Sequence, residues 1–229
     1  SLELLRAATE PFGCDLVFFF NYVRVNAGLA NPVPNIEQHM DDLFGGVRAD
    51  GLRRELVGLD SRQREEAIIS AITAALAADG TRRVVKFKFK KRASPRTSHY
   101  LVFVTKDPTG ERIMKEIMAG ESLEGSQGVP TFQFDPSGAY QASLFEAPLD
   151  ELEEALLQAF AGRTCTVKEV YHTHRSERPY VLKNYRSALL HLEAMGRVTV
   201  DPPAGERPTR RGLVTLGEDV RIMFPKVGS

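Results

Sequence analysis

The sequence predicts an α/β chain in two parts: a sheet with flanking helices over residues 1–145, and a helical unit closed by a two-stranded flap over residues 146–229. Three observations carry that expectation. Leu16-Val-Phe-Phe-Phe20 is an unbroken apolar run, which suits a strand buried on both faces of a parallel sheet covered by helices. At Val85 the apolar spacing switches from helical to strict alternation, the mark of a half-buried strand. The last third changes again, to amphipathic helices followed by a loop loaded with Pro, Gly and Arg.

Leu2, Leu4, Leu5 and Ala8 fall on one helical stripe, ended by Pro11 and Gly13, and the 15–20 strand follows as the second half of an αβ unit. Asn31-Pro-Val-Pro-Asn35 turns the chain into a helix lined by Ile36, Met40, Leu43 and Phe44, which Gly45-Gly46 stops. A further helix covers 48–57. Ser61 reads as the N-cap of a helix over 64–78, with Ala67, Ile68, Ala71, Ile72, Ala75 and Leu76 on one face and Gly80 just past its end. Val85, Phe87 and Phe89 then alternate with Lys86, Lys88 and Lys90, residues 91–97 form a hairpin loop, and 99–106 is the return strand. Asp107-Pro-Thr-Gly110 opens a helix bearing Ile113, Met114, Ile117 and Met118. Residues 119–143 are rich in Gly, Ser and Pro and read as a linker packed on the first part through Phe132 and Phe134.

In the last third, Leu149 to Phe160 is an amphipathic helix with Leu152, Leu156, Leu157 and Phe160 inward. Thr164 to His172 reads as a second helix, and Lys183 to Met195 as a third, with Tyr185, Ala188, Leu189 and Leu192 inside and Gly196 ending it. Val198-Thr-Val200 and Leu213-Val-Thr-Leu216 flank the loop 201–212. These parts in this order spell a winged helix-turn-helix, in which the second helix of the pair enters the major groove of DNA.

Composition narrows the function classes. Hydrophobic residues make up 42% of the 229 and charged residues 26%, with a net charge of zero, so any affinity for nucleic acid comes from local patches. No apolar run approaches the ~20 residues of a membrane span and no signal peptide is visible, which predicts a cytoplasmic protein without membrane partners. Cys14 and Cys165 stand far apart, which fits a reducing compartment and neither a disulfide framework nor a zinc site. His172 and His174 point to different sides of a helix and His39, His99 and His191 are isolated, so no metal site is expected. The chain opens on Ser1 with a helix already in progress, and reads as the back part of a longer gene product.

Two sets of residues are candidates for function. Asn21, Tyr22, Arg24 and Asn26 crowd past the carboxyl end of the 15–20 strand, where open α/β sheets hold ligands; as catalytic candidates they compete with a structural role in which Asn21 and Asn31 cap turns and Arg24 pairs with a local carboxylate. The nucleic-acid candidates are Lys183 and Arg186 at the start of the third helix, Arg207, Arg210 and Arg211 in the wing, and Lys88 and Lys90 on the hairpin. The hairpin array, which includes Lys86, Lys91, Arg92 and Arg96, reads either as a track for a phosphate backbone or as a lysine-guarded edge strand.

Phe19-Phe20-Asn21-Tyr22-x-Arg24-Val25-Asn26, Asn31-Pro32, His39-Met40-Asp41-x-Leu43-Phe44-Gly45, Arg64-Glu65-Glu66, Ser98-His99-Tyr100-Leu-Val-Phe-Val104 and Ile113-Met114-Lys115 together resemble the three-Cys-motif partner proteins, over nearly all of residues 12–145. That family is similar in fold to class I methyltransferases, and many members end in a winged helix. The resemblance implies a partial Rossmann-like sheet in which residues 15–20, 62–79, 83–91 and 99–106 form the closing strand, helix and antiparallel strand pair. It also implies a partner protein with a three-cysteine motif of the radical iron–sulfur type. The glycine-rich turn and the acidic residue that grip S-adenosylmethionine in such folds are not in this sequence, so no cofactor is expected on this chain, and S-adenosylmethionine belongs only to a full-length protein.

The function that follows is a nucleic-acid-associated protein, bound to DNA or RNA through its winged helix and acting with a partner. The rivals are a methyltransferase whose cofactor-binding half is missing from this chain, and a scaffold whose winged helix docks a protein.

Overall fold

The computed structural model describes residues 2, 5, 7, 14–77, 80–91, 94–122, 125–136, 148–176 and 178–226. The chain divides into two compact units, one made of Ser1–Glu121 with Phe132–Ala139 and the other of Ser122–Thr131 with Tyr140–Ser229. Residues 4, 8, 11, 13 and 92, named in the sequence reading, and its 145/146 boundary lie outside the described residues.

In the first unit β1 (Leu16–Phe20) is followed by α1 (Tyr22–Leu29), α2 (Pro34–Phe44), α3 (Gly46–Glu55) and α4 (Ser61–Ala77). Then come β2 (Arg83–Lys91), β3 (Ser94–Thr105), α5 (Pro108–Gly120) and β4 (Gln133–Phe134). Among the described residues the strands run β1-β3-β2-β4. β3 is antiparallel to both β1 and β2, with Phe18 opposite Val102 and Lys86 opposite Val102, so β1 and β2 point the same way. β4 adds to β2 in parallel.

The sequence reading of β1 is corrected here. It is an edge strand with an antiparallel partner, and its burial alternates. Leu16, Phe18 and Phe20 face a core shared with Val102, Val104 and Tyr100 of β3 and with Val25, Leu52, Ile68, Ile72 and Leu76 from the helices. Val17 and Phe19 turn to the other side and are 52% and 68% exposed. A run of five apolar residues looks the same in sequence whether one face or two are covered. The second face of the sheet carries Val85, Phe87 and Phe103, covered by Met114 and Met118 of α5.

Local chemistry explains the helix ends. Asp60, rather than Ser61, caps α4: its Oδ1 accepts from the backbone N–H of Arg62 and Gln63 at 2.8 and 2.9 Å, and Gln63 Oε1 accepts from the Asp60 N–H at 3.1 Å, a reciprocal capping box. Asp107 caps α5 through the Thr109 N–H at 2.8 Å. Gly28 is fixed by close helix packing, since a Cβ there would meet Met40 Sδ at 2.9 Å.

The second unit runs α6 (Leu149–Ala159), β5 (Thr164–Thr166), α7 (Val167–His174), α8 (Leu182–Ala194), β6 (Thr199–Asp201), β7 (Thr209–Arg210), β8 (Leu213–Val214) and β9 (Arg221–Met223). Its sheet has the order β5-β9-β6, and β7 pairs with β8 as a separate hairpin. Leu152, Leu156 and Phe160 of α6, Val167, Val170 and Tyr171 of α7, and Tyr185, Ala188, Leu189 and Leu192 of α8 close on Val200 and Ile222 from the sheet. Two expectations change. Thr164–Thr166 is a strand and the second helix begins only at Val167. The strand that closes the unit is β9, where Ile222 and the flanking Val220 and Phe224 carry a period of two that the sequence reading passed over. Residues 122–131 belong with this unit and not with the first; Val129 is buried in its core.

Candidate nucleic-acid interface

The helices of the second unit are held by side chains placed at their starts. The Leu149 N–H at the head of α6 donates to Gln127 Oε1, and Asp150 and Glu151 occupy the first turn, where acidic charge suits the helix dipole. α7 opens with a capping box: Thr166 Oγ1 accepts from the Glu169 N–H at 3.1 Å and Glu169 Oε2 from the Thr166 N–H at 2.7 Å. Those Thr166 donors hold the Glu169 carboxyl below its ordinary pKa. At α8, Asn184 is buried; its Oδ1 accepts from the Val181 N–H at 3.0 Å and its Nδ2 donates to the Gly128 carbonyl at 3.1 Å.

The turn between α7 and α8 is packed with aromatic rings. Tyr185 meets Tyr171 edge-on at 5.1 Å between centroids and Tyr180 at 6.3 Å. The Tyr180 hydroxyl donates to the Pro148 carbonyl at 3.2 Å, and burial, with Glu151 nearby, pushes its pKa up to about 12. These contacts tie the α7–α8 turn to the start of α8. Of the two candidates on that helix, Lys183 is exposed, and Arg186 is half-buried with its guanidinium 3.7 Å from Glu218.

The wing spans the chain between β6 and β9. Thr209 pairs with Val214 and Arg210 with Leu213, and the turn between them is Arg211-Gly212 with φ of +53° and +78°. Positive φ at both central positions is the two-residue turn that matches strand twist. Arg210 and Arg211 are exposed there. Arg207 differs from the sequence expectation of a surface cation. It is 5% exposed, and its guanidinium binds Glu193 in the last turn of α8.

Residues 126–205 match a family model described as the GMT-like wHTH domain. The second unit therefore contains a winged helix-turn-helix. The matched span starts at Ser126, so it includes Gln127, Gly128 and Val129, the residues that serve α6 and α8 from upstream. It ends at Gly205, before Arg207, Arg210, Arg211 and β9. No curated protein and no solved structure matches the chain.

In the first unit the catalytic candidates lie at the start of α1. Asn21 caps α1, its Oδ1 accepting from the Arg24 N–H at 3.1 Å, and Asn31 Oδ1 accepts from the Val33 N–H at 3.0 Å. Arg24 is exposed, Tyr22 is buried, and Asn26 Oδ1 accepts from Arg64 Nε at 3.2 Å. A different residue gathers the chemistry at this end of the sheet. Glu65 Oε1 accepts from Thr97 Oγ1 at 2.8 Å, from the Tyr100 hydroxyl, and lies 2.8 Å from Lys88 Nζ. Burial raises the Glu65 pKa, but the Lys88, Tyr100 and Thr97 donors outweigh it and leave the carboxyl below its ordinary value. Burial and then the Glu65 charge raise the pKa of both Tyr22 and Tyr100.

The hairpin lysines follow from the same geometry. Lys88 is engaged by Glu65, and Lys90 Nζ lies 3.5 Å from Asp135 with both side chains mostly covered. Lys88 and Lys90 thus have internal partners, while Lys91 and Arg96 of the same array are exposed. Among the described residues no group of His, Cys, Asp and Glu is placed to hold a metal ion, and no helix is long and apolar enough to cross a membrane.

Sequence reasoning missed Asn184, Gln127, Glu193 and Glu65. The signal for Glu65 was the α4 register, which puts it one turn before Ile68 and Ile69 and so at the border of the buried stripe. The others bind groups 14 to 56 positions away, which local spacing does not reveal.

Proposed function

We propose that this protein associates with duplex nucleic acid through its winged helix, with α8 facing the major groove and the wing on the flanking phosphates. The observation that carries the reading is the pair of exposed arginines, Arg210 and Arg211, at the tip of a hairpin set in the chain between β6 and β9, the strands whose Val200 and Ile222 share a core with α8. Lys183 on the exposed side of α8 adds a cation at the helix start, where backbone N–H groups also favour phosphate. DNA is the first choice, because a winged helix is built to enter the wide major groove that A-form RNA lacks. The test is a titration with duplex DNA at several salt concentrations: binding that weakens linearly with log[salt], with a slope near −0.9 for each phosphate neutralised, supports the reading. Salt-independent binding, or none, rejects it in favour of the protein-docking scaffold.

A second reading has its own support. The direction of β1 and β2, with β3 antiparallel between them and α4 in the connection, agrees with the closing part of a class I methyltransferase-like sheet, as the resemblance to three-Cys-motif partner proteins implies. On that reading the protein works beside an iron–sulfur-type partner with a three-cysteine motif. The described residues do not fit an S-adenosylmethionine grip: β1 passes into α1 through Asn21-Tyr22, and Gly45-Gly46 joins two helices instead of following a strand. Titration with labelled S-adenosylmethionine decides the point for this chain, saturable binding overturning the assignment.

A further inference from the structure

We propose that the Arg207–Glu193 ion pair is a latch that positions the wing against α8, and that Arg207 itself does not touch the nucleic acid. The proposal rests on the duplex-binding reading above and deepens it. Arg207 sits where the chain enters the wing hairpin. Its Nη2 donates to Glu193 Oε2, while its Nε and Nη1 are buried with no hydrogen-bond partner among the described residues. Directly beyond it, the Pro208 carbonyl accepts from both the Thr215 N–H at 3.0 Å and Thr215 Oγ1 at 2.8 Å, which closes the base of the hairpin.

The wing has few other anchors. Arg210, Arg211 and Gly212 are exposed, Leu213 is 74% exposed, and the hairpin holds only the two strand pairs. Leu216 enters the core at its far end. Burying a guanidinium with most of its donors unused is unfavourable, and an apolar side chain would fill the same space at less cost. What the charged pair supplies is direction: a planar fork aimed at one carboxylate in the last turn of α8 fixes the hairpin base relative to that helix. A wing held in place before binding loses less freedom when it meets phosphate, so the latch raises affinity without adding a phosphate contact.

The test uses the full chain in two variants and two measurements. Glu193→Gln keeps the shape but removes the charge, and Arg207→Lys keeps a cation but loses the fork. The latch predicts that Glu193→Gln speeds backbone amide exchange over residues 209–214 in the free protein, and weakens duplex binding roughly tenfold with an unchanged salt slope. Arg207→Lys lies between wild type and Glu193→Gln in both readouts. Unchanged exchange in the wing of Glu193→Gln overturns the proposal. So does an Arg207→Ala variant whose salt slope drops by about one, since that drop marks a direct phosphate ligand. Should Glu193→Gln not fold, Glu193→Asp, which keeps the charge and shortens the reach, is read in the same way. If the wild-type chain binds no duplex, the function above fails while the exchange measurement still decides the latch.

Discussion

His174 Nδ1 stands 3.0 Å from the Tyr185 hydroxyl, joining the last turn of α7 to the first turns of α8 in a contact that both rings bury. Burial, with the Arg178 charge nearby, pushes the His174 pKa down to about 4. The folded state thus keeps this ring neutral while the unfolded chain takes up a proton near pH 6.5. The sign follows: the folded pKa is depressed, so stability is lost as pH falls from about 6.5 towards 4, by up to about 1.4 kcal/mol for each unit of separation. We expect the melting temperature of the wild-type chain to drop between pH 7 and 5 by more than that of His174→Gln, which keeps a hydrogen-bonding group without titrating. Equal drops would remove His174 from the account.

Glu65 predicts a loss of stability on acidification in the first unit as well, in a more acidic range than His174. Its folded pKa is lowered, so its contribution is present above the ordinary carboxylate range and is lost as pH falls through the folded value. Glu65→Leu leaves Lys88, Thr97 and Tyr100 without their shared acceptor, and denaturant unfolding of that variant at pH 7 should show a loss of roughly 1–3 kcal/mol. A second substitution, Lys88→Met, should then cost less in the Glu65→Leu background than alone, which a double-mutant cycle measures directly.

Arg211 separates turn chemistry from charge. Its φ of +53° suits glycine better than a residue with a Cβ. Arg211→Gly should therefore keep or raise stability, by at most about 1 kcal/mol, while lowering the magnitude of the duplex salt slope by about one. Arg210→Ala should lower the slope by a similar amount with stability within about 0.5 kcal/mol of wild type, since Arg210 is exposed. A slope that both variants leave intact takes the wing tip out of the interface.

Asn184 carries a prediction about the segment upstream of α6. Asn184→Ala orphans the Val181 N–H and the Gly128 carbonyl, at a cost of about 1–3 kcal/mol. Protease susceptibility should rise in residues 125–131 as well as at the head of α8. Cleavage confined to the helix would show that Gly128 is held by other means.

The helices were legible because each carries its own period and end signals: α2, α4, α5, α6 and α8 lie within a few residues of where apolar spacing and Gly or Pro put them. Strand environments were harder. Leu16–Phe20 reads as a strand, but which face is covered depends on β3 and α4, elements distant in sequence. β5 was absorbed into a helix because Thr164-Cys-Thr166 is short and its partner, Arg221–Met223, lies more than fifty positions on. The site was legible as residue types and not as roles. Arg207 and Arg210 look alike in a basic loop, yet one is buried against Glu193 and the other is exposed, and only the packing of the wing on α8 separates them.

The assignment of residues 122–131 to one unit and 132–139 to the other has a practical meaning for anyone dissecting the molecule. The thread changes sides and returns, so no single scission yields two intact halves. A winged fragment begun at residue 146 would forfeit the Gln127 cap and the Val129 plug, and one begun at residue 122 would carry β4 away from its place beside β2.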